Sequence, residues 1–261
     1  MKLSIQREAL LKPLQLVTGV IERKHTLPIL ANVLLTLGQG EIALTGTDLE
    51  IEAKVTMPHK GGQDGAITLP ARKLLDIVRA LPEQATIELA EDKNKVTLKA
   101  GKSRFSLATL PATEFPQVGP QTATTSLRLT QGELKRLLDR TQFAMAQQDV
   151  RYYLNGLLLE LADGQLHAVA TDGHRLAMCS KALPGESPQT PPQQVIVPRK
   201  AVQELTRILE DSEQPVEITL SANHIQFSAE GITLTSKQID GRFPDYQKVL
   251  PRGGDKIVIA D

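Results

Sequence analysis

The strongest constraint on this 261-residue chain is that it repeats itself. Thr47-Asp48 returns as Thr171-Asp172, and Leu34-Leu35 as Leu158-Leu159, both at an offset of 124. Leu69-Pro70-Ala71-Arg72-Lys73 returns as Val197-Pro198-Arg199-Lys200, which places Lys73 and Lys200 127 apart. Phe115-Pro116 returns as Phe243-Pro244 at 128. Landmarks kept in one order within so narrow a band imply a duplicated unit, each copy with its own core. Each copy opens with a short alternating strand, Leu3-Ser4-Ile5 and then Leu127-Arg128-Leu129. A third such strand, Ile257-Val258-Ile259, ends two residues before the last. It is either the opening of a third, truncated repeat or a strand that completes the second. The expected division is 1–124, 125–251, and 252–261 as the opening strand of a truncated third domain.

Within one repeat the pattern reads strand, helix, strands, helix, strands. Apolar residues at spacings of three and four predict helices over 6–20, 71–81, 131–148 and 198–209. Pro13 falls inside the first of these, near its first turn or as a kink. Phe143 joins Leu134, Leu137 and Leu138 on the third apolar stripe. Alternation with period two predicts strands around Ile42, Ile51, Ile87, Val96 and Phe105. Many short antiparallel strands with two helices per unit make an α+β domain.

Composition narrows function by exclusion. Hydrophobic residues are 41% and charged residues 23%, so the chain is globular rather than disordered. Trp is absent and aromatics are 3%, which argues against a carbohydrate site or a base-stacking platform. The single cysteine, Cys179, excludes an intramolecular disulfide and a Cys-rich zinc site, and reads as a buried thiol. The N-terminus has no uninterrupted apolar region and no run is long enough to span a membrane, so a cytoplasmic protein is expected.

Net charge is zero, but its distribution is uneven. The four predicted helices carry eleven basic and five acidic residues, and the rest of the chain is acidic by the same margin. Helices sharing one surface would attract phosphate there and repel it elsewhere. Arg72, Lys73, Arg136, Arg140, Arg199 and Lys200 are the candidate phosphate contacts from this count.

Catalytic readings fail on spacing. Gly101-Lys102-Ser103 lacks the earlier glycine of a phosphate loop, since position 96 is Val, and a strand follows it rather than a helix. No two of the five histidines have a metal-binding spacing. Asp172 and His174 could do acid–base work, but no nucleophile motif accompanies them, and a Thr-Asp-Gly-His turn is more often structural. No catalytic residue, metal or cofactor is expected. A sequence-specific DNA binder would need a recognition helix.

Three stretches carry a family likeness: Gln148-Asp149-Val150-Arg151-Tyr152-Tyr153-Leu154-Asn155-Gly156, Ala170-Thr171-Asp172-Gly173-His174-Arg175-Leu176, and Asp240-Gly241-Arg242-Phe243-Pro244-Asp245-Tyr246. They closely resemble the bacterial sliding-clamp family, the beta subunits of DNA polymerase III. Thr26-Leu27-Pro28-Ile29-Leu30, Leu44-Thr45-Gly46-Thr47-Asp48-Leu49-Glu50 and Ser103-Arg104-Phe105-Ser106-Leu107 resemble the family's first domain. The likeness covers essentially residues 1–256. It implies a DNA clamp fold of repeated domains, each with two antiparallel sheets and two helices. Three such domains make a subunit, and two subunits make a ring with the helices inside.

The implied function is a non-catalytic processivity factor that encircles duplex DNA without reading its sequence. The resemblance places Lys24, Gln148, Tyr152 and Tyr153 near DNA. Leu154, Thr171, Gly173, His174, Arg175, Leu176, Pro244, Lys248 and Val249 match a pocket for short peptides of partner proteins. Those partners are the polymerase III alpha subunit, the clamp loader delta subunit and other polymerases. Lys73, Arg104, Phe105 and Leu107 match the ring interface, where the first domain meets the third domain of another subunit. A chain of two repeats is accordingly expected not to close the native ring, and the pocket to lack its third-domain wall. A non-topological DNA-binding protein is the alternative.

Overall fold

The computed structural model describes residues 1–24, 27–119, 122–183 and 192–250. The expected third-domain strand at 252–261 lies outside the described residues, as do Thr26 and the end of the second domain at 251. In the first repeat β1 (Lys2–Gln6) leads into α1 (Arg7–Val20). Then come β2 (Asn32–Gly38), β3 (Glu41–Thr47), β4 (Ile51–Pro58), β5 (Gly65–Pro70) and α2 (Ala71–Ala80). The repeat ends with β6 (Thr86–Asp92), β7 (Lys95–Ala100) and β8 (Ser103–Ala108).

The second repeat copies this order. It runs through β9 (Thr125–Thr130), α3 (Gln131–Asp139), β10 (Gly156–Ala162), β11 (Gln165–Thr171) and β12 (Leu176–Ala182). It continues with β13 (Gln193–Pro198), α4 (Arg199–Ile208), β14 (Pro215–Leu220), β15 (His224–Ala229) and β16 (Ile232–Lys237). Every strand pairing is antiparallel.

One sheet of the first repeat is ordered β1-β6-β7-β8 and one sheet of the second β12-β11-β10-β13. The remaining strands form one eight-stranded sheet, β5-β2-β3-β4-β16-β15-β14-β9. The two repeats are therefore joined edge to edge, β4 against β16, with Ile232 opposite Val55 and Ser236 opposite Ile51. Backbone pairing at this seam satisfies two edges that would otherwise be left open.

The core is aliphatic, as the near absence of aromatics requires. Leu10, Leu14 and Val17 of α1 are fully buried, as are Leu35, Leu44 and Leu69 of the strands. On α2 Leu74, Leu75, Ile77 and Val78 face inward while Arg72, Lys73, Asp76 and Arg79 face out. On α4 Ala201, Val202 and Leu205 are the buried stripe. Close approach of α1 to β3 depends on Gly46, where a Cβ would stand 2.5 Å from the Val17 carbonyl oxygen. Pro13 lies well inside α1 with its ring buried.

Two expectations are corrected. α3 stops at Asp139 instead of running to 148. Thr141 Oγ1 donates to the Leu137 carbonyl at 2.7 Å, and a short 3-10 turn follows over Gln142–Ala144. Phe143 is thereby turned out, 55% exposed, and is no part of the core stripe. Cys179 is half-buried rather than buried; it lies on β12, which is an edge strand among the described residues.

Candidate functional site

The four helices form an unbroken row. α2 packs on α1, α1 on α4, and α4 on α3. With the observed limits they carry ten basic and five acidic residues, because Arg140 becomes the residue that caps α3. Much of this charge is satisfied inside the protein. Arg72 Nη2 donates to the Ile21 carbonyl at 3.0 Å, and Arg199 Nη1 to the Met145 carbonyl at 3.1 Å. Arg207 pairs with Glu204 and Arg7 with Glu8, each on its own helix.

Lys200 is committed to the seam between repeats. It bonds Asp48, whose side chain is buried, and reaches Glu22 at 3.0 Å. Lys12–Glu210 and Lys237–Glu50, each at 3.0 Å, are further ion pairs across the same seam. Of the candidates read from helix charge, Lys73, Arg136 and Arg140 are exposed. Arg199 and Lys200 are half-buried, and Arg72, though exposed, is tied to backbone.

Lys24 is exposed just beyond α1, and the other residues placed near DNA by resemblance lie on the loop before β10. That loop is held by its own bonds. Asp149 N–H donates to Asn155 Oδ1 and Asn155 Nδ2 donates back to the Asp149 carbonyl, both at 2.9 Å. Arg151 Nε and Nη2 donate to the Asp149 carboxylate at 3.0 and 2.8 Å, and Nη2 also reaches the Asp172 carbonyl at 3.2 Å. The Arg151 bonds hold the Asp149 carboxyl down to about 2. Gln148 takes a left-handed backbone with φ 55° and is exposed. Tyr152 is exposed, and Tyr153 is half-buried and meets it edge to face at 5.8 Å.

A duplicated turn connects the loop to the pocket residues. In the second repeat Thr171 Oγ1 donates to the Arg175 carbonyl and accepts from Gly173 N–H. Asp172 Oδ1 accepts from the N–H groups of His174 and Arg175. Thr47, Asp48, Leu49, Glu50 and Ile51 make the same four bonds in the first repeat. This is the Asx and hydroxyl turn chemistry that Thr-Asp sequences favour. Backbone donors draw the Asp172 carboxyl below the usual range. Its second oxygen accepts from Arg175 Nε at 3.0 Å. Asp172 is thus occupied by backbone and Arg175, which removes the carboxylate that an Asp172–His174 acid–base pair would need.

The two copies of the turn do different work. The first faces the seam, where Asp48 and Glu50 meet Lys200 and Lys237. The second faces outward. Gly173, His174 and Arg175 are exposed, Arg175 stacks over Phe143 at 5.5 Å and donates to its carbonyl, and Leu176 is half-buried. Leu154 and Thr171 are buried, and Pro244, Lys248 and Val249 are exposed on the segment that crosses this sheet. Phe143, now outside the helix stripe, is an apolar neighbour of this surface that the sequence pattern hid.

The four ring-interface candidates separate. Arg104, Phe105 and Leu107 lie on β8, an edge strand with one unpaired flank among the described residues, while Lys73 lies on α2. Arg104 and Phe105 are exposed and Leu107 is buried. Gly101-Lys102-Ser103 is the β7–β8 hairpin turn, with Gly101 at φ 56°.

Comparison with known proteins gives one answer at three levels. Residues 1–119 match the family model for the DNA polymerase III beta subunit N-terminal domain, and residues 128–245 that for its central domain. A beta sliding clamp of Pseudomonas putida is 54% identical over 263 residues, covering 100% of this chain and 71% of the relative. That of Escherichia coli K12 is 48% identical over 264 residues, covering 100% of the chain and 70% of the relative. The crystal structure of the Pseudomonas aeruginosa DNA polymerase III subunit beta superposes with TM-score 0.93 at 52% identity, over 98% of this chain and 69% of that one. The Caulobacter crescentus pol III beta structure gives 0.90 at 41% identity, over 98% and 70%.

Proposed function

The chain belongs to the family of DNA polymerase III beta subunits, the bacterial beta sliding clamps, and we propose that its helix row faces DNA while its outward turn holds partner peptides. Its function is that of a DNA sliding clamp, a non-catalytic processivity subunit that works as a ring on DNA with a polymerase as partner. The observation that carries the finer reading is the duplicated fold itself. The β4–β16 seam joins domains edge to edge, and β8 and β12 are the counterparts of β16 and β4 in the repeat. Further clamp domains added at β8 and β12 by the same pairing extend the row of helices along one wall, and a head-to-tail series of this kind closes into a ring.

Along that wall Lys24, Lys73, Arg136, Arg140 and Gln148, with Tyr152 and Tyr153, are the residues we assign to the DNA backbone. Contacts of this kind are electrostatic and blind to sequence, so the ring slides. Arg72, Arg199 and Lys200 serve the interior first and add to the field of the wall. Arg104, Phe105 and Leu107 of β8, together with Lys73 of α2, are the residues we assign to the ring interface. We divide the chain into clamp domains 1–124 and 125–251 and place its work in the cytoplasm.

In the same reading Leu154, Thr171 and Leu176 floor the peptide pocket. Gly173, His174 and Arg175 rim it, and Pro244, Lys248 and Val249 form its near wall. Apolar anchors on a polar rim suit short peptides carrying Leu and Phe, which the polymerase III alpha subunit and the clamp loader delta subunit would present. Tethering raises the polymerase's effective concentration at the primer end. A primer-extension assay tests this. With the chain joined to the remaining C-terminal part of the Pseudomonas putida relative, products should lengthen when the fusion is loaded and shorten again when an excess of free Leu/Phe peptide is added. Unchanged product length in both conditions would refute the tethering role.

A further inference from the structure

The outer face of the sheet β12-β11-β10-β13 carries a small apolar cluster of its own. Leu158, Val169 and Ile196 of the sheet meet Phe243 and Tyr246 of the segment that crosses it. That segment is tied at its start, where Ile239 N–H donates to the Ile196 carbonyl at 2.9 Å. Under it, on β10, lies Glu160, only 5% exposed. A carboxylate so deep in an apolar face is a liability unless its oxygens are used. Here both are used. Gln194, its direct neighbour on β13, donates from Nε2 at 2.5 Å, and the Tyr246 hydroxyl donates to the other oxygen. Burial, and then the Glu160 carboxylate, push the Tyr246 phenol up to about 12, so it stays a donor at any physiological pH.

The first repeat is an internal control. Phe115, the counterpart of Phe243, is buried in the same way against Ile29 and Leu34. At the counterparts of Tyr246 and Glu160, however, stand Val118 and Thr36. The apolar anchor is common to both repeats, and so is a buried carboxylate, but the first repeat uses it on backbone, with Val118 N–H donating to Glu52 at 2.9 Å, whereas only the segment that carries Lys248 and Val249 is clasped through a side-chain hydroxyl. An apolar contact tolerates sliding, while a charge-assisted hydrogen bond sets one height and one direction.

We propose that Glu160 is a positioning residue for the partner-peptide pocket, acting through Tyr246 to set the height of the wall formed by Pro244, Lys248 and Val249. This rests on the pocket reading given above. Glu160 touches no peptide itself, and its effect on binding passes through the Tyr246 hydroxyl.

The test uses the 261-residue chain, Y246F, E160Q and the double variant E160Q/Y246F, with two readouts. Hydrogen exchange is followed for amides of 243–250 and of β10 and β11, and affinity is measured for a fluorescent short peptide carrying Leu and Phe. Losing one hydrogen bond to a charged group should speed exchange of the segment by about tenfold and weaken the peptide by about tenfold, with the strands unchanged. The double variant should lose less than the sum of the two single losses, since the Glu160–Tyr246 bond is common to both changes. E160Q keeps the side-chain shape should Y246F fold poorly. Peptide affinity within about twofold of the parent in both single variants would overturn the proposal, as would strands that loosen together with the segment. A parent chain that takes no peptide at all would instead refute the pocket, and the positioning role with it.

Discussion

The duplicated Thr-Asp turn offers an experiment in which one repeat controls the other. Its third residue is left-handed in both copies, Leu49 at φ 79° and Gly173 at φ 88°. An L-residue in this region loses about 1–2 kcal/mol to the clash of its Cβ. Glycine avoids that clash but gives back about 0.5–1 kcal/mol of unfolded-chain entropy. Leu49→Gly should therefore stabilise the protein by about 0.5 kcal/mol, the difference of these two effects less the packing that the 43% exposed Leu49 side chain gives up. Gly173→Ala should destabilise it by about the same backbone amount. It carries a second penalty, because its Cβ would stand 2.9 Å from Arg151 Nη1 and force that guanidinium off Asp149 and the Asp172 carbonyl.

Thermal unfolding is the assay, with shifts of about 2–4 °C per kcal/mol for a chain of this size. Repeating Gly173→Ala in an Arg151→Ala background removes the obstruction, so the penalty should shrink to the backbone part. Opposite signs at 49 and 173 and a smaller effect without Arg151 are the expected outcome. If Leu49→Gly lowers the melting temperature, or Gly173→Ala is as stable as the parent, the strain reasoning is wrong.

Other consequences are open to measurement. Lys200→Met should cost about 1–3 kcal/mol by leaving buried Asp48 short of a partner, yet it should change the salt dependence of DNA binding less than Arg136→Ala. The latter should reduce the slope of log affinity against log salt by about 0.9; equal slopes for the two variants would contradict the division of charge described here. Burial raises the Glu52 carboxyl above its ordinary value, with the Val118 N–H, which donates to it at 2.9 Å, acting the other way. The native state then binds its proton more tightly than the unfolded chain, so Glu52→Gln should stabilise the protein at neutral pH. That gain should fade as the pH falls through the folded value; a gain that grows toward acid pH would reverse the sign. Phe105→Glu should leave melting nearly unchanged, because the side chain is exposed, while abolishing ring assembly, measured by sedimentation, of the chain joined to the C-terminal part of the Pseudomonas putida relative.

Much of the fold is legible in the sequence because its signals are local. Periodicity places α1, α2 and α4 within a residue, and the Thr-Asp turns announce themselves because their bonds join near neighbours in the chain. The seam is not legible, since nothing in the alternation of β4 or β16 says which edge it will meet. For the same reason a count of helix charge gave Lys200 to DNA, when its ammonium is held by Asp48 from the other repeat. Arg72 and Arg199 likewise hold carbonyl groups that no motif marks. The expected α3 overran its end because Phe143 keeps the apolar spacing while the backbone has already passed into 3-10 turns, with Thr141 N–H donating to the Leu138 carbonyl and Ala144 N–H to the Thr141 carbonyl. The clasp of Glu160 and Tyr246 joins residues 86 apart, beyond the reach of any spacing rule.

The central claim is that hold on DNA comes from encirclement rather than from attraction. The decisive measurement joins the 261 residues to the remaining C-terminal part of the Pseudomonas putida relative and compares the fusion with the 261-residue chain. Each is loaded onto nicked circular DNA with a clamp loader and ATP, the salt is raised, and the DNA is then cut once. The fusion should stay on circles through high salt and leave after the cut, while the 261-residue chain is released by salt alone. Release of the fusion by salt, with the same slope on circular and linear DNA, would contradict the account.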